Sequence, residues 1–226
     1  MARGLSFSRL TLLTIFTLVF LLAGVVESSP AAHAQSVSTG GKIGSAFDQA
    51  ASQFGVPSSL LKALCYMEGR LSSHGGSPSI DNGFGCMHLV KNKSVDTLDQ
   101  AAGILHVSAS QLKTDTATNI LGGAAVLRAE ALQISSTHAL PTNLAGWYGA
   151  VAEYSHATVR STALMYADAL YKIINTGFSA QSDTGETVTL APQSVTPDTA
   201  TANPVKGAST LPAGCTVDNN VDYPAA

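Results

Sequence analysis

The stretch that decides the fold of this chain is "LCYMEGRLSSHGGSPSIDNGFGCMHL", residues 64–89. It begins inside an apolar helical pattern, continues through Gly, Ser, Pro, Asn and Asp, and ends in Gly-Phe-Gly-Cys-Met-His. Counted from Leu61, positions 61, 64, 65 and 68 share one helical face, so Glu68 extends an otherwise apolar stripe. The pattern predicts a helix with one carboxyl near its end, followed by a long loop.

Two interpretations of Glu68 follow from this pattern. A carboxyl on a buried stripe is partly desolvated, which raises its pKa and suits a general acid. Alternatively, Glu68 ends the helix in water and pairs with Arg70 or Lys62 as an ordinary surface ion pair. The loop favours the first interpretation, because a long Gly-rich loop in a helical domain serves a site unless it is disordered.

Outward from this stretch the chain is patterned for helices, and strand-type alternation is scarce. Residues 43–54 form the first helical segment, Gly55 ends it, and Pro57 suits the first turn of the second. Capping-box spacing at residues 97–100 and 108–111 starts two short helices. Three further segments are "ILGGAAVLRAEAL" (120–132), "LAGWYGAVAEYS" (144–155) and residues 159–174. The expected fold class is all-α, with one long Gly-rich loop at the active site.

Composition divides the chain into four parts. Residues 1–34 have a basic start, an apolar run and an Ala-His-Ala site, which predict a cleaved secretory signal. The apolar run is long enough that an uncleaved membrane anchor stays open. Residues 35–42 are a short linker, and residues 43–178 are long enough for one folded domain. Residues 179–226 are rich in Thr, Ser, Ala and Pro, which predicts a disordered linker and tail.

Charge narrows the range of partners. The formal net charge is −3, and binding to nucleic acid or to an anionic membrane requires clustered Lys and Arg. We therefore expect no binding to nucleic acid, and association with a membrane only if the N-terminal segment is uncleaved. A metal site built from Cys65, His74, Cys86 and His88 is the weaker alternative to a disulfide, because its spacing is irregular. We expect no metal and no cofactor.

Four motifs in this order resemble the soluble lytic transglycosylase and goose-type lysozyme-like domains, which act on bacterial peptidoglycan. Residues 68–70, Glu-Gly-Arg, are similar to the Glu-Ser-Arg that carries the catalytic glutamate of that family. Residues 85–88, Gly-Cys-Met-His, resemble its Gly-x-Met-Gln turn, and Asn119 with Gly123 matches its Asn-x-x-x-Gly helix. Residues 153–156, Glu-Tyr-Ser-His, keep the tyrosine of Ala-Tyr-Asn-x-Gly but lack the asparagine and the glycine. The resemblance covers residues 43–178.

A narrower likeness lies within that group. Residues 66–89 are similar to the lysozyme-like segment ahead of the amidase domain in some secreted N-acetylmuramoyl-L-alanine amidases of Gram-positive-type bacteria. In those chains a Pro- and Thr-rich linker and a stretch like "DYPAA", here residues 222–226, lead into a zinc amidase. The sequence shows no amidase zinc site, so we expect either a truncated relative or a module that works alone.

The resemblance implies an exported enzyme that cleaves the bond between N-acetylmuramic acid and N-acetylglucosamine in peptidoglycan glycan strands. Glu68 would be its general acid and base. Its implied substrate contacts are Met87, His88, Tyr154, Asp81 and Asn119. Simpler roles stay open for four of them: a turn for Asp81, a core position for Tyr154, a backbone-bonded loop for His88 and a helix cap for Asn119.

Two chemistries and one non-catalytic alternative follow from the resemblance. In a lytic transglycosylase, Glu68 would take the proton of the muramic acid C6 hydroxyl, so that an anhydro sugar forms. In a lysozyme-type hydrolase, a second carboxylate such as Asp81 would orient water or stabilise positive charge. The alternative is a non-catalytic lysozyme-like module that binds the cell wall for an amidase. The altered motif after Tyr154 favours that alternative, whereas the retained Glu68, Met87 and Tyr154 favour the enzyme.

The cysteines fit an exported protein. Cys65 lies one helical turn before Glu68 and Cys86 lies at the far end of the loop, so a bridge between them would close the loop beside the carboxyl. We predict that these two cysteines pair and that Cys215 stays odd in the tail. Disulfides persist outside the cytoplasm, so the expected location is secreted or associated with a bacterial cell wall.

Overall fold

Helices dominate the structure, a computed structural model that describes residues 43–203 and 205. Helix accounts for 57% and strand for 9% of these described residues, which confirms a mainly-α class. The seven helices of the described residues are α1 (Ile43–Phe54), α2 (Ser58–Gly69), α3 (Thr97–Leu105), α4 (Ala109–Thr114), α5 (Thr116–Ile134), α6 (Tyr148–Tyr154) and α7 (Arg160–Thr176). The strands are β1 (Gly83–Phe84), β2 (Leu89–Val90), β3 (Phe178–Gln181) and β4 (Thr187–Leu190).

The two short helices begin close to the predicted caps. At α4 the predicted capping box is confirmed: the Gln111 N–H donates to Ser108 Oγ at 3.2 Å, and the Ser108 N–H donates to Gln111 Oε1 at 3.0 Å. At α3 the predicted cap, Thr97, is wrong by one residue. The Asp96 carboxylate caps the helix by accepting from the Asp99 N–H at 2.9 Å. The backbone N–H of Val90 in β2 donates to the Thr97 hydroxyl at 2.8 Å, so that hydroxyl binds β2.

Helix α5 is the centre of the domain. Its residues 118–127 are all buried, and α1, α3, α4 and α6 pack around it. Small side chains let these neighbours approach closely; a Cβ at Gly122 would lie within 2.7 Å of Leu112 Cδ2. The predicted helical segment of residues 120–132 therefore lies in the middle of the bundle.

Two antiparallel hairpins interrupt the helices, and the sequence did not predict either. The first pairs Gly83 with Val90 and Phe84 with Leu89, at the end of the loop that follows α2. The second pairs Phe178 with Leu190 and follows α7 directly. Each strand has four residues or fewer, too short for a period-2 pattern to stand out against the surrounding loop residues.

The second hairpin corrects the prediction of a disordered linker, because residues 179–203 are ordered in the structure. Val188 and Leu190 alternate with exposed threonines and are 3% and 5% exposed. Beyond them, Ala202 is fully buried, and Thr201 Oγ1 accepts from the Gly149 N–H of α6 at 2.9 Å. The Thr- and Ser-rich composition led to a prediction of too little order in this segment, because a few apolar side chains on one strand face are enough to pack it against the domain.

Some predictions lie outside the described residues. They are the secretory signal at residues 1–34, the linker at residues 35–42, and the last part of the tail, which contains Cys215. Within residues 43–203 and 205, no helix combines the length and apolarity needed to cross a membrane.

Candidate active site

Glu68 lies in the last turn of α2, where the buried stripe of that helix ends. Leu61, Leu64 and Cys65 are fully buried, and the side chain of Glu68 is 17% exposed. The helix ends at the next residue, because Arg70 takes a left-handed φ of 51° and its N–H bonds back to the last turn. The predicted helical face is confirmed, and the carboxyl is largely withdrawn from water.

A hydroxyl from another helix binds this carboxyl. Tyr166 of α7 donates a hydrogen bond to Glu68 Oε1. Burial raises the pKa of Glu68 above its ordinary value, while the Tyr166 hydrogen bond and nearby His88 oppose the rise without cancelling it. Burial and the Glu68 charge raise the pKa of Tyr166, so this phenol stays a donor throughout the physiological range.

The sequence analysis missed Tyr166 as a site residue. It lies within the predicted helical segment of residues 159–174, and its side chain is partly buried in the structure. A buried tyrosine hydroxyl ordinarily needs a hydrogen-bond partner, and that rule was the available signal. Which group becomes that partner depends on the packing of α7 against α2. Tyr166 and Glu68 are 98 residues apart in the chain.

His88 lies between two carboxyls. Its Nδ1 is 3.8 Å from Glu68 Oε2, and its Nε2 is 3.1 Å from Asp81 Oδ2. The imidazole packs over Gly83, where a Cβ would collide with the ring, and the His88 backbone is left-handed with φ of 52°. The ring therefore lies between Glu68, Asp81 and Gly83.

Asp81 serves both as a turn residue and as a group facing the site. The turn closes when the Asn82 N–H bonds to Ser79 O at 3.1 Å. The Ser79 hydroxyl donates to Asp81 Oδ1 at 2.6 Å. That hydrogen bond is the main cause of the lowered pKa of Asp81, with partial burial opposing it and His88 assisting it. Asp81 is thus a carboxylate aimed at His88.

Three predicted substrate contacts lie beneath the site rather than in it. Met87 is fully buried, Asn119 is 1% exposed and Tyr154 is 6% exposed. The Tyr154 hydroxyl donates to Met87 O at 2.7 Å, so it contacts the backbone of the loop. The prediction that the Met87 side chain lines the cleft is corrected, because that side chain packs into the core against Gly123.

Asn119 organises the end of the loop with three buried hydrogen bonds. Its Oδ1 accepts from the Met87 N–H at 2.8 Å, and its Nδ2 donates to Phe84 O at 3.0 Å and to Leu112 O at 2.9 Å. The cap of α5 is Asp115, which accepts from the Thr118 N–H. Asn119 is therefore neither the helix cap nor an exposed sugar contact: it fixes the turn that carries His88.

A disulfide joins the two ends of the loop, as predicted. Cys65 and Cys86 are bonded, with their Cα atoms 4.6 Å apart. Next to the bridge, Gly69 lies so close to the backbone of Cys86 that a Cβ would collide with it. Any larger residue at position 69 would therefore push the turn away from α2 and away from Glu68.

The hairpin of β3 and β4 holds the start of the loop. Asp183, in its turn, accepts from the Ser73 N–H at 2.7 Å, the Ser73 hydroxyl at 2.9 Å and the Ser72 hydroxyl at 3.1 Å. Phe178 stacks on Tyr66 of α2, with ring centroids 4.1 Å apart. The segment predicted to be a linker therefore braces the helix and the loop that carry the site.

A groove of about 520 Å³ in the described part of the chain lies between residues 131–146 and the 3₁₀ turn at Thr199–Ala202, and Glu68 does not line it. Among the described residues, no three His, Cys, Asp or Glu side chains are grouped so that they could hold a metal ion.

Glu68, Tyr166, His88 and Asp81 together form the candidate site. A largely buried acid with a raised pKa, one oxygen bound by a phenol and the other facing an imidazole, can donate a proton to a bound substrate. Comparison of the chain with protein-family models, with curated proteins and with solved structures found no match.

Proposed function

We propose that this chain is an exported enzyme that cleaves the glycosidic bond between N-acetylmuramic acid and N-acetylglucosamine in peptidoglycan. The observation that carries the proposal is Glu68, a carboxyl with a raised pKa at the end of a buried stripe, beside a Gly-rich loop. A structural glutamate gains nothing from this placement, because desolvating a carboxylate costs stability. A general acid gains a proton that persists toward neutral pH.

The two oxygens of Glu68 would have different tasks. Tyr166 occupies Oε1, so Oε2 is the oxygen that carries the proton to be donated. That proton passes to the glycosidic oxygen as the bond to the muramic acid C1 breaks. The Tyr166 hydrogen bond then stabilises the carboxylate that is left, because hydrogen bonds to a charged acceptor are the stronger kind.

Two routes complete the reaction. In the transglycosylase route the Glu68 carboxylate removes the proton of the C6 hydroxyl, whose oxygen closes on C1 to give an anhydro sugar. In the hydrolase route a second carboxylate orients water. Asp81 is the candidate for that role, but the His88 ring stands between it and Glu68. The arrangement favours the route that needs Glu68 alone.

A cell-wall-binding module without turnover is the second candidate. It is favoured by the burial of Met87, Asn119 and Tyr154, which leaves fewer of the predicted substrate contacts at the surface. It is also favoured by residues 153–156, Glu-Tyr-Ser-His, which lack the asparagine and the glycine of the resembled motif. Either candidate places the chain outside the cytoplasm, and the Cys65–Cys86 bridge supports an oxidising location.

The test is to incubate the full chain with purified peptidoglycan and to identify soluble products by mass spectrometry. We expect anhydromuropeptides from the parent and a loss of at least about 100-fold in Glu68→Gln, because general acid catalysis contributes on this scale. Asp48→Asn is the matched control, since it neutralises an exposed carboxyl on α1, and it should keep full activity. Reducing-end products would mean hydrolysis instead. Sedimentation with the wall without release of sugar by any variant would overturn the enzyme and favour the binding module.

A further inference from the structure

His88 connects the proposed acid to a second carboxyl that does not contact it. The ring presents Nδ1 to Glu68 Oε2 at 3.8 Å and Nε2 to Asp81 Oδ2 at 3.1 Å. The first separation is longer than a hydrogen bond. Catalytic hydrogen bonds often tighten only when substrate binds, so a small rotation of either side chain would bring the two groups into contact.

Asp81 determines which nitrogen of His88 faces Glu68 with a lone pair. A carboxylate only accepts hydrogen bonds, so a neutral ring next to Asp81 carries its proton on Nε2. Nδ1 is then the basic nitrogen, and it points toward the oxygen of Glu68 that Tyr166 leaves free. Ser79 holds Asp81 from the other side at 2.6 Å, and Gly83 leaves room for the ring.

We infer that His88, oriented by Asp81, is a positioning residue that sets the pH at which Glu68 gives up its proton. The inference deepens the proposed function and rests on it for its catalytic meaning. It assigns the pair a different role from substrate contact: an ionisable side chain facing Glu68 controls the fraction of enzyme that carries the acid proton.

The other groups facing Glu68 keep the same charge over the pH range in which Glu68 gives up its proton. Tyr166 from α7 and Tyr154 from α6 both have raised pKa values through burial and the nearby Glu68 charge, so both stay neutral. The lowered pKa of Asp81 keeps it negative. Among these groups the imidazole is the one that can be present either as a neutral ring or as a cation.

The direction of the effect follows from charge. When the basic Nδ1 of His88 holds a proton, the ring is an imidazolium, and its positive charge beside Glu68 favours the carboxylate and lowers the pKa of Glu68, in opposition to burial. A neutral amide at position 88 removes that contribution. The acid proton should then persist to higher pH, and the high-pH limb of activity should move up.

The decisive experiment titrates Glu68 without requiring turnover. Carboxyl ¹³C NMR on the full chain follows its five glutamates, and Glu68→Gln assigns the Glu68 signal by removing it. We expect the Glu68 midpoint to rise in His88→Gln. His106→Gln is the matched control, because His106 is also left-handed, with φ of 54°, but caps α3; it should leave the midpoint in place. If His88→Gln fails to fold, His88→Asn replaces it, since Asn tolerates this conformation.

The same variants then separate the two hypotheses. A Glu68 midpoint that is unchanged or lowered in a folded His88 variant would overturn this inference, whether or not sugar is released. A raised midpoint with an upward shift of the high-pH limb of turnover supports it. A raised midpoint in a chain that never releases sugar would overturn the proposed function and leave the coupling between His88 and Glu68 standing.

Asp81 is tested by a double-mutant cycle on the same signal. If Asp81 acts through the ring, the change that Asp81→Asn causes in the Glu68 midpoint should differ between the parent and the His88→Gln background. Equal changes in the two backgrounds would mean that Asp81 acts on Glu68 only directly, which would overturn its part of the inference.

Discussion

The loop of residues 71–88 and the segment of residues 178–203 are both poor in large apolar residues, but they have different sources of order. The loop is rich in Gly and Ser, and the later segment is rich in Thr, Ala and Ser. The loop is held by a disulfide at Cys86 and by Asn119, which binds the backbone on either side of that cysteine. The later segment is held by apolar side chains, among them Val188 and Leu190, and by the stacking of Phe178 on Tyr66.

This difference shows that composition alone is a poor guide to order. A polar segment is ordered when its backbone groups find buried partners or when two or three apolar residues dock on a core. The two segments also depend on each other, because Asp183 of the later one binds Ser72 and Ser73 of the loop. Three substitutions test this comparison, from the largest expected effect to the smallest.

Asn119→Ala should have the largest effect. It leaves the Met87 N–H and the carbonyls of Phe84 and Leu112 buried without this partner, and such groups cost about 1–3 kcal/mol each. We expect a loss of about 4 kcal/mol in the free energy of unfolding, measured in urea. Asn92→Ala is the matched control, because Asn92 accepts two exposed backbone hydrogen bonds and should cost about 1 kcal/mol. Equal losses would contradict the assigned role of Asn119.

Removing the disulfide should rank second. The bridge spans 21 residues, and closing a loop of that size contributes roughly 3 kcal/mol in the chain-entropy argument. The Cys65→Ala and Cys86→Ala double variant should therefore unfold at lower urea than the parent, and reductant should shift the parent but not the variant. Cys215→Ala is the control that leaves the bridge intact. A parent that is insensitive to reductant would show that the bridge does not stabilise the fold.

Asp183→Ala should have the smallest effect and the most local one. It removes three partly exposed hydrogen bonds, worth about 1 kcal/mol in all, and should speed hydrogen exchange at the Ser73 amide while leaving the Asn119 region protected. Glu186→Gln is the control in the same hairpin, because Glu186 binds the start of α1 instead. Unchanged exchange at Ser73 would mean that the hairpin does not brace the loop.

The Asp183 contact also has a predicted pH dependence. Partial burial tends to raise the pKa of Asp183, but the hydrogen bonds from Ser73 and Ser72 outweigh it and the net pKa is lowered. A carboxyl with a lowered folded pKa contributes its stability in full above its unfolded pKa, ordinarily 3.8, and loses it as the pH falls through the folded value. The difference in stability between the parent and Asp183→Ala should therefore shrink in acid.

The sequence analysis succeeded where the signal is local. Apolar spacing located the longer helices of the described residues, because the 3.6-residue period repeats over several turns, and capping-box spacing located the short helices α3 and α4. The same spacing put Glu68 on the stripe of Leu61 and Leu64. The pairing of Cys65 with Cys86 was predictable because both lie at the ends of one loop.

It was less successful where a residue's role depends on a distant partner. Asn119 and Met87 were expected to contact substrate, but both are buried, because the loop folds back onto α5. Tyr166 looked like a core residue, and its hydroxyl meets Glu68 only because α7 packs on α2. The ordered tail was missed because Val188 and Leu190 are few among many polar neighbours.

By itself the sequence determined a mainly helical domain, the acid at the end of α2 and the bridge that closes its loop, since each depends on spacing along a short stretch. Only the tertiary structure decided which groups face Glu68, because Tyr166 and Glu68 are 98 residues apart in the chain and a periodicity cannot specify the packing of α2 on α7. The same holds for His88, whose ring lies between Glu68 and Asp81 because the turn on Asn119 directs it there.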